Sequence, residues 1–363
     1  MHKGIRNFTA NVIVGANVAT IAVMLLVGYS DRLDPQSFPI LSCLGLAFPF
    51  LVLANLAFLV FWVLFSLKRI LVPLVGFAVA YGPVHTYCPL SLGGSAPADA
   101  ISVMSFNVNA FHPRDMNIDM SVDYASLDYV LKEKPDIVCL QETHNIHTKM
   151  DTLRQAYASV DTAYDATGSN IMALLSRFPV VGHERIDYAS KGNMSTAFFL
   201  DIDGQRLIVI NNHFETTGLS KKDRSEFRNI VHGKSKADTV RTESKRLLAK
   251  LGERNAIRAR QAQAVARFME RHRGVPVILC GDFNDNPISY THHVLASRLT
   301  DCYVATGNGP GWSYTNNGMR VRIDNIMCSA DFEPYACRVV PDGSMSDHRP
   351  TVSKLKMRGK TQK

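Results

Sequence analysis

The stretch "VPVILCGDFNDNP", Val275–Pro287, joins an apolar run to a crowded polar turn. The run "VPVILC" has the length and apolar content of a short buried strand. Gly281 then leads directly into Asp282, Asn284 and Asp285. Aspartate and asparagine at a strand end can simply form a turn. In an enzyme, the same groups can hold a water molecule and a substrate, so the rest of the chain must decide between the two interpretations.

The chain around this stretch alternates short apolar runs with segments of helical spacing. "ISVMSFNV" and "DIVCLQE" end in polar residues, and "VDYASLDYVLKEKP" between them has helical spacing and stops at a proline. "MSTAFFLDIDGQRLIVINNHFE" predicts two strands about a tight turn at Asp203-Gly204, and "RNAIRARQAQAVARFMERH" predicts a helix before Val275. The pattern predicts a layered α/β domain over residues 101–363, with polar groups gathered at strand ends.

The first 90 residues have a different composition. Asn7–Ser30 carries no charge over 24 residues and Pro35–Leu67 none over 33, and each is long enough to cross a hydrocarbon core of about 30 Å as a helix. A third apolar segment, Ile70–Leu90, is interrupted by prolines and a glycine. We predict a transmembrane region of about three helices over residues 1–90, followed by a linker at 91–100, "SLGGSAPADA". A cleaved signal peptide is the alternative for the first segment.

The basic residues between these segments predict their orientation. Lys3 and Arg6 precede the first segment, a net-acidic loop at 31–34 follows it, and Lys68–Arg69 follow the second. The positive-inside rule then places the N-terminus in the cytoplasm. If the third segment crosses, the α/β domain lies on the extracytoplasmic side, and this loop-charge pattern is typical of the bacterial inner membrane.

The segment Gly218–Arg260 holds most of the basic surplus of the chain. It carries 13 Lys or Arg against five Asp or Glu. One interpretation is a solvated helical insertion. The other is attraction to an anionic membrane surface or to nucleic acid, of which the membrane is favoured by the apolar segments.

The seven cysteines do not decide the compartment. Cys139 and Cys280 lie within apolar runs, where a free thiol behaves as a small buried hydrophobe. Cys328 and Cys337 are candidates for a disulfide between neighbouring strands. The chain contains no C-x-x-C zinc pattern.

Acidic, amide and imidazole groups recur at the predicted strand ends, and their chemistry suits cleavage of a phosphate ester. They are Asn107, Glu142, His213, Asp282, Asn284, Asp324, Asp347 and His348. Glu142 and Asn107 offer the oxygen ligands that Mg²⁺ prefers. Asp282 can act as a base towards water, His213, His348 and Asn284 can donate to developing negative charge, and Asp324 can orient a histidine.

The motifs "SFNVN", "LQET", "ALLSRFPV", "NNHFE", "RARQAQ", "GDFNDNP", "RIDNIM" and "SDHRPT" resemble, in this order, those of the DNase I-like endonuclease/exonuclease/phosphatase superfamily. The resemblance runs from about Ile101 to Val352. It implies a four-layer α/β sandwich of two packed mixed sheets, and phosphoester hydrolysis that depends on Mg²⁺, with Mn²⁺ as an alternative.

The resemblance also implies a role for each motif residue. Glu142 matches the main metal ligand with Asn107 beside it, and Asp347 is expected near the metal. Asp282 matches the residue that activates water, and Asn284 and His213 match groups that contact the phosphate. His348 matches the histidine that stabilises the pentacovalent transition state, with Asp324 orienting it. Two positions depart from the family pattern, namely Asn109, where several nucleases carry an acid, and Asn325, where an aromatic residue is common.

Three functions follow as hypotheses. The first is a membrane-anchored, Mg²⁺-dependent phosphodiesterase or phosphatase acting on a lipid head group or a small phosphoester. The second is a metal-dependent nuclease acting on DNA or RNA. The third is a catalytically silent phosphate- or lipid-binding membrane protein, which the presence of Glu142, Asp282 and His348 argues against. No protein partner is evident.

Overall fold

The computed structural model describes residues 2–112, 124–165, 167–168, 170–190, 192–231, 237–316, 319–341 and 343–359. The helices are α1 (His2–Gly28), α2 (Phe48–Phe65), α3 (Leu71–Val79), α4 (Tyr81–Tyr87), α5 (Ala125–Glu133), α6 (Met150–Ala156), α7 (Lys221–Val231), α8 (Ala237–Arg271), α9 (Tyr290–Ala296) and α10 (Cys302–Thr306). The strands are β1 (Ile101–Asn107), β2 (Ile137–Gln141), β3 (Ser159–Tyr164), β4 (Ile171–Ser176), β5 (Val180–Arg185), β6 (Met194–Ile202), β7 (Gln205–His213), β8 (Val277–Asp282), β9 (Thr300–Asp301), β10 (Asp324–Cys328), β11 (Phe332–Val339) and β12 (Thr351–Met357).

The strands form two mixed six-stranded sheets. The strand order is β11-β12-β1-β2-β4-β3 in the first sheet and β5-β6-β7-β8-β10-β9 in the second. One apolar core joins them, with Val103 and Leu174 from the first sheet and Phe198 and Ile326 from the second. The alternation of apolar side chains along each strand supplies this inner face.

Helices cover the outer face of each sheet. Leu127 of α5 and Leu153 of α6 pack with buried residues of the first sheet. Val265 and Phe268 of α8, with Leu295 of α9, pack on the second. These layers confirm the predicted four-layer α/β sandwich.

Each sheet contains one parallel strand pair, and these pairs position the polar strand ends. In the first sheet β1 runs parallel to β2, and Asn107 is in register with Gln141. In the second β7 runs parallel to β8, and His213 is in register with Asp282. Because the carboxyl ends of parallel neighbours meet at one sheet edge, residues far apart in sequence lie together there.

Two N-terminal helical segments, Gly4–Arg32 and Leu41–Phe65, are long and apolar enough to cross a membrane. The third candidate is a pair, Leu67–Val79 and Tyr81–Tyr87, bent by 70° at a short break. Within the second apolar segment, α2 begins at Phe48, after the 3₁₀ turn Leu41–Ala47. Residues 30–47, called here the connecting loop, contain two prolines and two 3₁₀ turns, Ser30–Arg32 and Leu41–Ala47. These turns overlap the ends of the two candidate spans.

The connecting loop packs against the α/β domain. Asn255 Nδ2 of α8 donates to Ser42 Oγ at 2.8 Å. Gly45 lies against the carbonyl oxygen of Ile288, which a Cβ on Gly45 would approach to 1.9 Å. The Ile288 side chain packs with apolar residues of the N-terminal helices, including Met24 and Phe48.

The basic segment Gly218–Arg260 forms α7 and the first part of α8, with residues 232–236 outside the described residues. It is helical, as one interpretation expected, but it is not wholly solvated. Leu247 is buried, and Gly252 approaches Pro39 of the connecting loop so closely that a Cβ there would lie 2.4 Å from its carbonyl oxygen. One face of this segment is therefore an interface with the N-terminal region.

All seven cysteines are free thiols. Cys139 and Cys280 are fully buried, as their apolar surroundings predicted. The candidate disulfide between Cys328 and Cys337 is not formed. The Sγ atom of Cys328 instead lies 3.9 Å from that of Cys302, because the end of β9 brings Cys302 beside β10.

Candidate active site

Asp282 ends β8 at the centre of the second sheet, with His213 in register on one side and Asp324 on the other. Gly281 before it has a φ of +136°, and a Cβ there would lie 1.9 Å from the carbonyl oxygen of Asn212. Only glycine permits this approach between β7 and β8. The polar turn Gly281–Pro287 therefore begins at a position that the sheet itself constrains.

Asn107 links the two sheets at this edge. Its Nδ2 donates to Glu142 Oε1 at 3.0 Å and to Asp282 Oδ2 at 3.2 Å. Its Oδ1 accepts from the backbone N–H of Asn109 at 3.0 Å. One buried amide thus holds a carboxylate from each sheet and turns its nitrogen, rather than its oxygen, towards them.

His348 and Asp324 form a buried pair. His348 Nδ1 lies 2.9 Å from Asp324 Oδ2, and His348 Nε2 lies 3.7 Å from Asp282 Oδ2. Burial disfavours the charged imidazolium, but Asp324 and Asp282 outweigh this effect and raise the pKa of His348 well above its ordinary value. The raised pKa favours the imidazolium form, in which Nε2–H is directed to the Asp282 side.

Asp282 is a buried carboxyl, and burial disfavours its charged form. Burial, with the nearby carboxylate of Asp324, raises its pKa to about 6 although His348 and His213 oppose the shift. A carboxylate with this pKa is ionised at neutral pH yet basic enough to accept a proton.

The tautomer of His213 is set by a residue that sequence reasoning missed. Asn170 Nδ2 lies 2.9 Å from the carbonyl oxygen of Gly192 and 3.1 Å from His213 Nδ1. Since the amide nitrogen donates to both, His213 Nδ1 is an acceptor and its proton is on Nε2. This Nε2–H lies 3.4 Å from Glu142 Oε1 and 3.8 Å from Asp282 Oδ2, and it has no hydrogen-bond partner among the described residues.

Two other missed residues support the pair formed by Asp324 and His348. Ser313 Oγ accepts the backbone N–H of Ile323 and of Asp324, each at 3.0 Å. Ser346 Oγ donates to the carbonyl oxygen of Asn107 at 2.9 Å. Single serines in loops carry no distinctive sequence signal, so only the fold identifies them.

Left-handed backbone at non-glycine residues is concentrated here. Glu142 has a φ of 55°, Asn284 of 52° and Asn109 of 47°. Such conformations cost about 1–3 kcal/mol each and persist where the surroundings impose them. Asn284 is held by three hydrogen bonds, from its backbone N–H to Asp282 Oδ1 at 2.7 Å and from its Nδ2 to Phe214 O and Asp282 Oδ2.

The donor set suits a hard divalent cation. Burial raises the pKa of Glu142, but His213 and Asn107 outweigh it, so the carboxyl stays ionised and its pKa is lowered. No described residue hydrogen-bonds to Glu142 Oε2, which leaves an anionic oxygen at the site. A second group, Asp282, Asp324 and His348, offers ligand atoms within 4.8 Å of one another, but the hydrogen bond between Asp324 and His348 already occupies one atom of each.

Asp347, predicted near the metal, lies beside these groups but binds elsewhere. Its Oδ2 accepts from Asn316 Nδ2 at 3.2 Å, and its carbonyl oxygen accepts from the backbone N–H of Thr315. Asp285 faces away from the cleft, where its carboxylate binds Arg258 and Thr291.

Comparison with known proteins identifies the family of the chain. The model of the Endonuclease/Exonuclease/phosphatase family matches residues 104–348, and that of a domain of unknown function matches residues 10–87. No curated protein matches the chain.

Solved structures share the fold at low identity. The human Nocturnin catalytic domain with bound sulfate anion is 16% identical with a TM-score of 0.50, over 71% of this chain and 95% of that one. D. rerio TDP2 complexed with single strand DNA product is 16% identical with a TM-score of 0.51, over 71% of this chain and 100% of that one. An endonuclease/exonuclease/phosphatase from Beutenbergia cavernae is 17% identical with a TM-score of 0.50, over 72% of each chain.

The family match covers most of the chain, and the fold and strand-end groups agree with it. The chain belongs to the endonuclease/exonuclease/phosphatase family, whose members are phosphoester hydrolases.

Proposed function

We propose that this protein is a metal-dependent phosphoester hydrolase anchored in a membrane by its N-terminal helices. One observation carries the proposal, namely the surroundings of Asp282 Oδ2. Asn107 Nδ2 lies 3.2 Å away, His348 Nε2 3.7 Å and His213 Nε2 3.8 Å. A carboxylate base beside two N–H donors that are not hydrogen-bonded to it is the arrangement that water attack on a phosphoester requires.

The residues divide the chemistry between them. Asp282 accepts the proton of the attacking water, and its pKa of about 6 keeps it ionised at neutral pH. His348 donates from Nε2 to the phosphoryl oxygens as charge builds on them, and Asp324 stabilises its imidazolium form. His213 donates from Nε2 to the same group, and Asn284 supports Asp282 from the following turn.

Mg²⁺, or Mn²⁺ in its place, would be held by Glu142. The other two predicted ligands are Asn107 and Asp347, but Asn107 Oδ1 accepts from the Asn109 N–H and Asp347 Oδ2 accepts from Asn316, so Asn107 contributes by fixing the Glu142 carboxylate. When bound, the cation would supply Lewis-acid stabilisation of the negative charge that develops on the phosphoryl oxygens. The ionised Glu142 carboxylate, anchored on one oxygen by Asn107, supports this assignment.

The contacts of the connecting loop support a membrane topology. The loop follows the first apolar helix and packs on the α/β domain, so both belong on one side of the membrane. The chain must then return to that side after α2, which requires the bent pair α3–α4 to cross. With the N-terminus in the cytoplasm by its basic residues, the catalytic half is extracytoplasmic, in the manner of a bacterial inner-membrane protein.

The position of the site supports a substrate held at the membrane surface, such as a lipid head group. Asn284 is four residues from Ile288, which packs with the N-terminal helices. Four residues span at most about 14 Å, which places Asn284 within that distance of Ile288 and its contact with the helices. A nuclease acting on DNA or RNA is the alternative. Relative cleavage rates on phospholipids and on nucleic acids distinguish the two.

The test uses the full-length protein in lipid nanodiscs, because a fragment from residue 98 would expose the face around Ile288. Wild type, Asp282→Asn and His348→Ala are assayed with Mg²⁺ on phospholipids, small phosphomonoesters and phosphodiesters, DNA and RNA. The exposed Asp331→Asn serves as a matched control. We expect metal-dependent cleavage that falls by about 10²-fold or more in both site variants and is unchanged in the control.

Equal rates in wild type and both site variants, or no cleavage of any substrate, would refute the proposal. The second result would favour a silent binding protein. The substrate cleaved fastest identifies the class, and a preference for DNA or RNA over phospholipids would replace the lipid assignment by the nuclease one.

A further inference from the structure

Arg258 of α8 is a buried arginine outside the cleft that contacts two of the turns forming it. It is only 2% exposed. Its Nη1 donates to the carbonyl oxygen of Glu215 at 3.0 Å, and its Nε lies 3.3 Å from Asp285 Oδ2. Glu215 is two residues after His213, and Asp285 is the residue after Asn284. One guanidinium thus ties together the turn after β7 and the turn after β8.

Neighbouring groups on α8 hold the first of these turns from the same helix face. Gln261 Oε1 accepts the backbone N–H of Glu215 at 2.8 Å, and Arg254 pairs with the Glu215 carboxylate, which is itself buried. Residues 254, 258 and 261 lie on one side of α8, as helical spacing requires. The backbone carrying His213 is therefore placed by α8 rather than by the sheet alone.

Arg258 is itself held by the connecting loop through one amide. Its Nη2 donates to Asn255 Oδ1, and Asn255 Nδ2 donates to Ser42 Oγ at 2.8 Å. Both ends of this buried amide are used. A continuous chain of hydrogen bonds therefore runs from Ser42, between the first two apolar helices, to the turn that carries Asn284 and the turn that follows His213.

We propose that Arg258 is a positioning residue for phosphoester hydrolysis, and that the connecting loop sets its position through Ser42 and Asn255. This inference rests on the proposed function. Its consequence is that the catalytic half reaches full activity only with the connecting loop seated on α8. A displacement of about 1 Å in groups that orient a reaction can cost about 10²-fold in rate, so a distant hydrogen bond can act on kcat.

The experiment uses the full-length protein in nanodiscs with bis(p-nitrophenyl) phosphate and Mg²⁺. Ser42→Ala removes the hydroxyl that Asn255 contacts, and Arg258→Lys keeps the charge but loses the planar fork of donors. Their matched controls are Ser37→Ala, in an exposed part of the same loop, and Arg260→Lys, exposed on the same helix. The readouts are kcat and KM per folded molecule, and hydrogen exchange of peptides covering residues 213–218 and 282–289.

We expect Ser42→Ala to lower kcat about tenfold and Arg258→Lys about 10²-fold, with KM within about twofold of wild type. Exchange should accelerate in both turns and nowhere else in the α/β domain, and both controls should match wild type. Unchanged kcat per folded molecule, or faster exchange spread evenly over the domain, would assign Arg258 and Ser42 a purely structural role and overturn the proposal.

The two proposals fail differently. A wild-type protein without activity on any phosphoester defeats the proposed function. The exchange data then still test the coupling, because faster exchange confined to the two turns in Ser42→Ala supports it and unchanged exchange there excludes it.

Discussion

His348 Nδ1 and Asp324 Oδ2 lie 2.9 Å apart, and both side chains are buried. The two residues are on different elements, with Asp324 opening β10 and His348 preceding β12. Their hydrogen bond fixes the ring so that Nε2 faces Asp282. Since Asp324 also raises the pKa of His348, one contact sets both the direction and the charge of the proposed donor.

Replacing Asp324 by asparagine should lower kcat by about 10²-fold or more, because an amide cannot stabilise the imidazolium. The pKa of His348 should fall, so the loss of its proton should move to lower pH. Measuring kcat against pH, with a ¹⁵N titration of His348, checks this. Asp331→Asn is the exposed control, and an unchanged pH profile in Asp324→Asn would contradict the assigned role.

Replacing Glu142 by glutamine should weaken Mn²⁺ binding by about 100-fold or more. Removing a group that only orients a metal ligand typically lowers metal affinity by about 10- to 100-fold, and a direct ligand should matter at least as much. Calorimetric titration of the full-length protein measures this without any substrate. Glu133→Gln, exposed at the end of α5, should bind as wild type does. Equal Mn²⁺ affinity of Glu142→Gln and Glu133→Gln would indicate that the metal binds instead to the group formed by Asp282, Asp324 and His348.

Replacing Asn170 by alanine should release His213 from its tautomer, because Nδ1 loses the N–H that it accepts. We expect about a tenfold lower kcat and a mixed population of Nδ1–H and Nε2–H forms. The ¹⁵N chemical shifts of the ring distinguish the two forms. A single Nε2–H form in Asn170→Ala would show that another group sets the tautomer.

Protonation of Asp223 in α7 should lower the free energy of unfolding in acid. Lys250, the backbone N–H of Ser220 and Arg246 hold its pKa well below the ordinary carboxyl value. A depressed folded-state pKa contributes stability that is present above about pH 4, the unfolded value, and is lost as pH falls towards the folded value. The destabilisation caused by Asp223→Asn should therefore shrink between pH 6 and pH 3.

Urea unfolding of wild type and Asp223→Asn over that range measures the difference, with the exposed Asp187→Asn as control. A constant difference in the free energy of unfolding between pH 6 and pH 3 would mean that the ion pairs of Asp223 contribute nothing pH-dependent.

Replacing Gly45 by alanine should loosen the contact between the connecting loop and the turn at Ile288. A Cβ there would lie 1.9 Å from the carbonyl oxygen of Ile288, so backbone must move, at a cost of about 1–3 kcal/mol. Thermal unfolding in detergent checks this. Gly94→Ala is the control, because its Cβ would meet nothing within 4 Å. Equal unfolding temperatures would show that the loop does not dock.

The motif residues could be identified from the sequence because their pattern is local. "GDFNDNP", "NNHFE" and "SDHRP" each place polar groups at the end of an apolar strand, and their order identifies the family and the two-sheet fold. The apolar segments were equally visible, since a membrane span is a matter of length and composition. Only the structure shows that α2 begins at Phe48 within the second one, because the residues before it include two prolines and pack on the α/β domain.

Residues that act through geometry alone had no such signal. Asn170 and Ser313 are ordinary loop residues until the fold brings them to His213 and Asp324. Arg258 lies in the quoted motif "RARQAQ", but only the fold shows that it contacts Asp285 and the turn after β7. Amide orientation is likewise a tertiary property, since the nitrogen of Asn107 faces two carboxylates only because Asn109 N–H holds its oxygen.

The sequence by itself identified the family of this chain and distinguished its apolar N-terminal part from its α/β part, because residue types and periodicity can be read along the chain. Only the tertiary structure decided how the halves meet. The hydrogen bonds from Ser42 through Asn255 to Arg258 join positions more than 200 residues apart. No local pattern encodes such contacts, since they exist only when sheet register, helix packing and the connecting loop are satisfied together.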